Sequence, residues 1–477
     1  MTISVHEIRA AISAVPFEND QREAPRAEIL YLPRAHRKAL GRESVLVVGA
    51  RGVGKSFWTA ALRDEQLRSL IGRQEPALAQ TRIAVGYAAT PNNKDFPDKD
   101  ILASLLDKGF KPYAIWRAVI FCHLARWLGE NAIPETWVER VRYVVDNPEG
   151  VACVAETADR QFLENGQYGL ILFDALDRVS DDWQSMDQIV SALLRASLWV
   201  RGFKRLRTKV FVRPDQIERE VTAFPDASKL LATRVGLTWE RHDLHAMLWQ
   251  RLINVPGEDG EALRAIVRTL LPNGLNFHAE NGVWRLPVEL QTETALRRLF
   301  EKLAGDKMGK DARRGVPYVW SVSHLADGHG QTSPRSFLAA IKSAADDSLA
   351  RYPDHPLALH YESIKRGIQS ASRIRVDEIA EDYPWIRDVL APLRGQSVPC
   401  EFANILNLWS ERYPDGPGML SGQGMLPAHA EQGWEGVRED LQRIGVFTMR
   451  QDGRIDMPDL YRVGFGLGRR GGVKPNR

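Results

Sequence analysis

Gly49-Ala50-Arg51-Gly52-Val53-Gly54-Lys55-Ser56 constrains this chain more than any other stretch. It matches G-x-x-x-x-G-K-[ST] at every fixed position. It also lies between a short apolar, β-rich run, Ser44–Gly49, and a helical pattern from Lys55 to about Ile71. A strand–loop–helix unit is therefore expected. Its glycines let the backbone bend so that successive N–H groups converge on phosphate oxygens. The helix adds the positive end of its dipole. Lys55 is expected to reach the β- and γ-phosphates, and the Ser56 hydroxyl to ligate magnesium. A glycine-rich turn that fits the pattern by chance is the bland alternative, and the strand–loop–helix context argues against it.

A triphosphate site of this kind needs a carboxylate at the tip of another buried strand. Leu170-Ile171-Leu172-Phe173-Asp174 supplies four apolar residues and then an acid. Asp174 is expected to hold magnesium through water. Alone, a strand ending in aspartate says little; beside the glycine loop it says a good deal. ATP and magnesium are accordingly the expected ligands.

The chain's 477 residues exceed one ordinary core, which implies two to four domains. A hydrophobic fraction of 44% with 26% charged residues is that of a globular protein. Lys+Arg 64 against Asp+Glu 61 leaves +3, so any nucleic-acid surface has to come from local clustering. Cys122, Cys153 and Cys400 lie far apart without histidines at ligand spacing, which points to a reducing cytoplasm. The N-terminus has no signal-type apolar region, and no stretch approaches a membrane span.

Along the chain, apolar strand patterns recur at Arg82–Ala88, Tyr168–Asp174, Thr208–Arg213 and Arg234–Trp239. Helical patterns separate them, including Trp183–Val200, which implies a parallel sheet covered on both faces. The expected division is an N-terminal helical segment with a lead-in to the base pocket (1–43), then an α/β core (44–255) with a helical insertion near 96–165. A helical lid or intermediate domain (256–397) and a small C-terminal unit (398–477) follow. In that last unit, helices at Glu401–Arg412 and Trp434–Ile444 precede a hairpin through Gln451-Asp452-Gly453.

Asp174-Ala175-Leu176-Asp177-Arg178 resembles the Asp-Asp-Leu-Asp-Arg run of KAP NTPases and the acidic runs of STAND ATPases, relatives of AAA+ proteins. The resemblance implies an α/β P-loop NTPase of the ASCE type, sheet order 5-1-4-3-2, with a helical lid and a C-terminal winged helix. In that fold the Thr208–Arg213 strand lies between the loop strand and the Asp174 strand. Arg213 is thus a candidate reporter of ATP against ADP, or else a surface cap of the strand. Arg335, opening the helix Ser336–Leu349, is similar to the sensor 2 position, and a solvated first-turn arginine is the equal alternative. Arg34, in Leu32-Pro33-Arg34, is expected near the base, and Arg234 stands where AAA+ proteins carry an arginine finger. Where fast relatives place a glutamate after the first aspartate, this chain has Ala175. Hydrolysis is therefore expected to be slow, with Asp177 as substitute base or no base in cis.

The function so implied is a regulatory ATPase that couples nucleotide state to a separate effector or partner protein, with homo-oligomerisation left open. Bacterial proteins of this look often serve in antiphage defence or DNA maintenance. The alternative is an ATP-modulated DNA-binding protein acting through residues 398–477, where Arg462, Arg469, Arg470, Lys474 and Arg477 form a basic tail. A small-molecule kinase ranks last.

Overall fold

The computed structural model describes residues 5–15, 25–130, 133–180, 182–217, 221–309, 312–420, 426–470 and 473–475. Its apolar runs pair into one sheet. β1 (Leu46–Val48), β2 (Thr81–Tyr87), β3 (Tyr168–Phe173), β4 (Leu206–Val212) and β5 (Val235–Gly236) run parallel in the order β2-β3-β4-β1-β5. This is the expected order, read from the opposite edge. Parallel strands are covered on both faces, which is why β1 and most of β3 are continuous runs of buried apolar residues. The register pairs Val48 with Val212 and Phe173 with Val210, so the tips of β1, β4 and β3 end side by side.

The helical insertion packs onto this sheet. The helix Pro112–Leu128 is buried on nearly every side, and the Trp116 ring stands edge-on to Tyr87 at 5.9 Å and to Phe173 at 5.6 Å. Its indole N–H donates to the Ile189 carbonyl at 2.9 Å, satisfying the one polar atom of a large core residue.

Two elements depart from expectation. The helix after the loop ends at Arg63, because the Asp64 carboxylate accepts the Leu67 N–H at 2.8 Å and caps a second helix, Glu65–Gly72. β5 shrinks to two residues, since at the sheet edge only β1 is there to pair with it.

A cation inside β4 ties the lead-in segment to the sheet. Lys209 is fully buried and donates to the carbonyls of Ala39, Gly41 and Ser44 at 2.7, 2.9 and 2.6 Å. These oxygens lie at and just beyond the C-terminus of the helix Arg34–Leu40, where carbonyls lack intrahelical donors and the dipole favours a positive charge.

The chain forms two compact units. One comprises Leu32–Thr238 and contains the five-stranded sheet. The other comprises Trp239–Arg477 with Arg26–Tyr31 and the N-terminal helix Val5–Ala14. That helix is fastened within its unit by Arg9, which donates to the carbonyls of Pro353, His355, Leu357 and Ala358 at 2.9 to 3.1 Å. A two-residue hairpin pair, β6 (Ala279–Glu280) and β7 (Val283–Trp284), belongs to the same unit. Among the described residues no helix is long and apolar enough to cross a membrane.

Near the C-terminus, the helices Phe402–Arg412 and Gly433–Arg443 precede β8 (Thr448–Met449) and β9 (Ile455–Asp456). The Asp452 carboxylate accepts the Arg454 N–H at 3.1 Å in the connecting turn. Cys400 exchanges two backbone hydrogen bonds with Ile455, at 3.0 and 2.8 Å, adding a third rung beside the hairpin. Trp409 is buried against Trp434, with ring centroids 5.1 Å apart.

The basic tail is not the solvated strip that its composition suggests. Arg462 is fully buried, with Nε donating to Asp459 at 2.8 Å and the guanidinium reaching the Leu467 and Val473 carbonyls. Arg469 pairs with Asp456 and Asp459. The carboxylates that neutralise these cations sit upstream of the tail, beyond what the tail's own composition reveals. Arg470 and Lys474 are exposed, and Arg477 lies outside the described residues.

Candidate phosphate-binding site

β1 delivers the chain to Gly49, whose N–H donates to the Val212 carbonyl at 3.0 Å, so the loop starts from a fixed point on β4. A Cβ at Gly49 would stand 2.6 Å from the Val53 side chain. Gly54 has φ 104° and caps the helix Lys55–Arg63, a conformation that costs a side-chain-bearing residue energy. Of the other loop residues, Val53 is buried, while Ala50, Arg51 and Gly52 are half-buried.

The Lys55 ammonium donates to the carbonyls of Gly49 at 2.7 Å and Ala50 at 3.1 Å. Burial brings its pKa down to about 8, opposed first by the charge of Asp174 and then by Asp177 and Asp215, while Arg213 pushes it further down. Across the loop, Asp174 closes β3. Its N–H donates to the Tyr87 carbonyl at 2.9 Å and its carboxylate accepts from the Ser56 hydroxyl. Burial raises the carboxyl's pKa above the usual range in spite of Ser56 and Lys55. Among the described residues, Asp174 Oδ1 has no hydrogen-bond partner. A buried carboxylate oxygen without a partner, beside a hydroxyl and at the mouth of a glycine loop, fits a hard divalent cation.

Ala175 is in the left-handed region at φ 57°, where an L side chain costs on the order of 1–2 kcal/mol. The turn continues into the short helix Leu176–Arg178, with the Arg178 N–H donating to the Ala175 carbonyl at 3.0 Å. It brings Asp177 to the tip of β4, where Asp177 Oδ2 is 3.4 Å from an Arg213 guanidinium nitrogen. The other terminal nitrogen of Arg213 is 3.3 Å from Asp215 Oδ2, and the Arg213 N–H donates to Gln216 Oε1 at 3.0 Å. Arg213 is 5% exposed, so it is no solvated strand cap. Lys55, Ser56, Asp174, Asp177 and Arg213 are therefore neighbours.

The other expected residues have their own settings. Arg34 is exposed in the first turn of its helix. The buried group of that segment is His36, which accepts from the Trp58 indole N–H at Nδ1 (3.2 Å) and meets the Thr238 carbonyl through Nε2 at 3.0 Å. Burial lowers its pKa to about 4, so the ring is neutral, and these partners assign the proton to Nε2. Arg335 belongs to the other unit, where Glu378 engages it at 2.6 Å. Arg234 is exposed ahead of β5. Sequence reasoning missed Asp215 and Gln216; the only signal was an acid and an amide directly after a strand that ends in Arg213-Pro214.

No protein-family model matches this chain, and no curated protein matches its sequence. Among solved structures, the Aeropyrum pernix ORC2 protein in its ADPNP–ADP complexes is similar at 12% identity and TM-score 0.39, over 93% of each chain. The A. pernix ORC1 protein in complex with DNA is similar at 13% identity and TM-score 0.34, over 94% of this chain and 93% of that one.

Proposed function

We propose that this chain is a magnesium-dependent ATP-binding switch that hydrolyses ATP slowly. The carrying observation is the convergence of Lys55 and Ser56 from the loop with Asp174 from β3 and Arg213 from β4. On this reading the Lys55 ammonium exchanges the Gly49 and Ala50 carbonyls for phosphate oxygens. Ser56 and Asp174 would hold magnesium, which supplies the charge that makes the triphosphate bindable. The balance of charge supports that role: the charges of Asp174, Asp177 and Asp215 all act on Lys55, against that of Arg213. A pocket with more carboxylates than cations repels a free triphosphate.

Slow turnover follows from Ala175, which stands directly after Asp174 and has no group to polarise water. The site then serves to register nucleotide state. The family resemblance implies that a separate partner protein reads that state, in defence or DNA maintenance. Asp174→Asn is expected to lower magnesium-dependent ATP turnover at least tenfold, and chelation of magnesium to weaken ATP binding by about as much. Parent-level turnover in Asp174→Asn, or unchanged affinity in a chelator, would remove the metal-holding role from this carboxylate.

A second reading, ATP-tuned binding to duplex DNA, draws support from the order extended segment, helix, helix, hairpin over residues 398–457, the order of a winged helix. Local charge weighs against it. Arg450 pairs with Asp456, Arg454 with Asp452 and Arg438 with Glu435, so these cations are already neutralised. Full-length chain titrated with duplex DNA is expected to show weak binding with a shallow salt dependence. A log–log slope steeper than about −4 would favour the DNA reading instead.

A further inference from the structure

We infer that Asp215 and Asp177 form a clamp on Arg213 that sets the preference for ATP over ADP, with Asp215 a specificity-determining residue of the nucleotide site. This rests on the reading of that site given above. Arg213 directly follows the central strand β4, which is flanked by β1 with the phosphate loop and by β3 with Asp174. Its backbone N–H donates to the Gln216 side chain at 3.0 Å, which leaves the guanidinium as the part that changes partners. The guanidinium lies between two carboxylates, at 3.4 Å from Asp177 and 3.3 Å from Asp215. Charge-assisted pairs of this type close to about 2.7–2.9 Å when optimally seated. The observed contacts are longer and divided between two acids, an arrangement from which the guanidinium can be drawn by a third anion.

A γ-phosphate is such an anion. Its oxygens carry more charge than one carboxylate and accept the same planar donor pair. ADP has no group at that position, so ADP binds with the clamp closed. ATP must first exchange a carboxylate contact for a phosphate contact, and the free energy of that exchange is subtracted from ATP affinity alone. The two acids therefore hold down discrimination. The exchange also leaves Asp177 without its guanidinium, so this carboxylate is released only when a γ-phosphate is present. The signal that nucleotide has arrived and the freeing of the nearest acid are then one event.

The test is calorimetry of magnesium-ATP and magnesium-ADP on the full chain, comparing the parent with Asp215→Asn, Asp177→Asn, Arg213→Ala and the double variant Arg213→Ala/Asp215→Asn. Asp215→Asn is expected to raise the ATP-to-ADP affinity ratio about tenfold and leave ADP affinity within about twofold of the parent. Asp177→Asn should move the ratio the same way. In the Arg213→Ala background the Asp215→Asn effect should vanish, because there is no guanidinium left to release. Equal changes for ATP and ADP, or an Asp215 effect that persists without Arg213, overturn the clamp. Should Asp215→Asn fail to fold, the Asp177→Asn ratio decides alone. A parent chain that binds neither nucleotide sinks the underlying site assignment, whereas one that binds both with an unresponsive ratio sinks only the clamp.

Discussion

Lys55→Ala is expected to lose on the order of 100-fold in affinity for magnesium-ATP and to keep its fold. Lys55 is half-buried, and its ammonium bonds the Gly49 and Ala50 carbonyls of its own loop. Its burial cost already shows in a pKa lowered to about 8. Removing it therefore relieves desolvation as it deletes two hydrogen bonds, and the nucleotide-free melting temperature should change little. Saturating ATP, at a hundred times Kd, stabilises a folded protein by about 2.7 kcal/mol. The parent should show that shift in a thermal melt with magnesium-ATP, and Lys55→Ala should show almost none. An equal nucleotide shift in both proteins would mean that the loop does not hold the phosphates.

The second large effect lies in the other unit. Asp459→Asn is expected to destabilise it by roughly 3–5 kcal/mol, because a fully buried guanidinium, Arg462, loses its charged partner. Asp459 is 4% exposed and accepts from Arg462, from Arg469 at 3.1 Å and from His324 Nδ1 at 2.6 Å. Burial alone would raise its pKa, but the His324 hydrogen bond and the Arg462 charge outweigh burial and hold it at about 2. The folded carboxyl thus titrates below the unfolded one, near 3.9. Its contribution is fully present above about pH 4 and is lost as pH falls through 2, a change of roughly 2–3 kcal/mol. Urea melts at pH 7 should reveal the loss in Asp459→Asn, and melts at pH 3 should narrow the gap between the two proteins. A variant as stable as the parent at pH 7 would show that the network contributes nothing net.

The same network explains why the tail misleads when read as composition. Arg462 and Arg469 belong to a run without acids, and their partners Asp456 and Asp459 lie just upstream in the sequence. A charge count along a line cannot tell a solvated cation from one folded back on a carboxylate. Lys209 makes the related point for strands: a lysine within an apolar run looks like a surface position, yet it caps carbonyls from a segment far earlier in the chain.

What was legible obeys local rules. The glycine loop needs left-handed and close-packed positions that few residues but glycine supply, so Gly49, Gly52 and Gly54 announce it. The placement of Asp174 across from Ser56 was readable because a buried apolar run ends there in an acid. The contact of Asp215 with Arg213 was not, since it depends on where that guanidinium points, and rotamers are set by neighbours across strands. The Ala175 turn was equally hidden: alanine carries no signal for φ 57°, and the surrounding structure imposes it.

On the reading proposed here, the backbone turn at Gly49–Ser56, with Lys55 and the facing Asp174, grips a magnesium-bound triphosphate. Isothermal titration of the parent chain with ATP, ADP and GTP, each with magnesium, tests it most directly. Saturable binding of ATP near one per chain, lost in Lys55→Ala, is expected. No heat of binding with any of the three nucleotides, from folded protein, would contradict it.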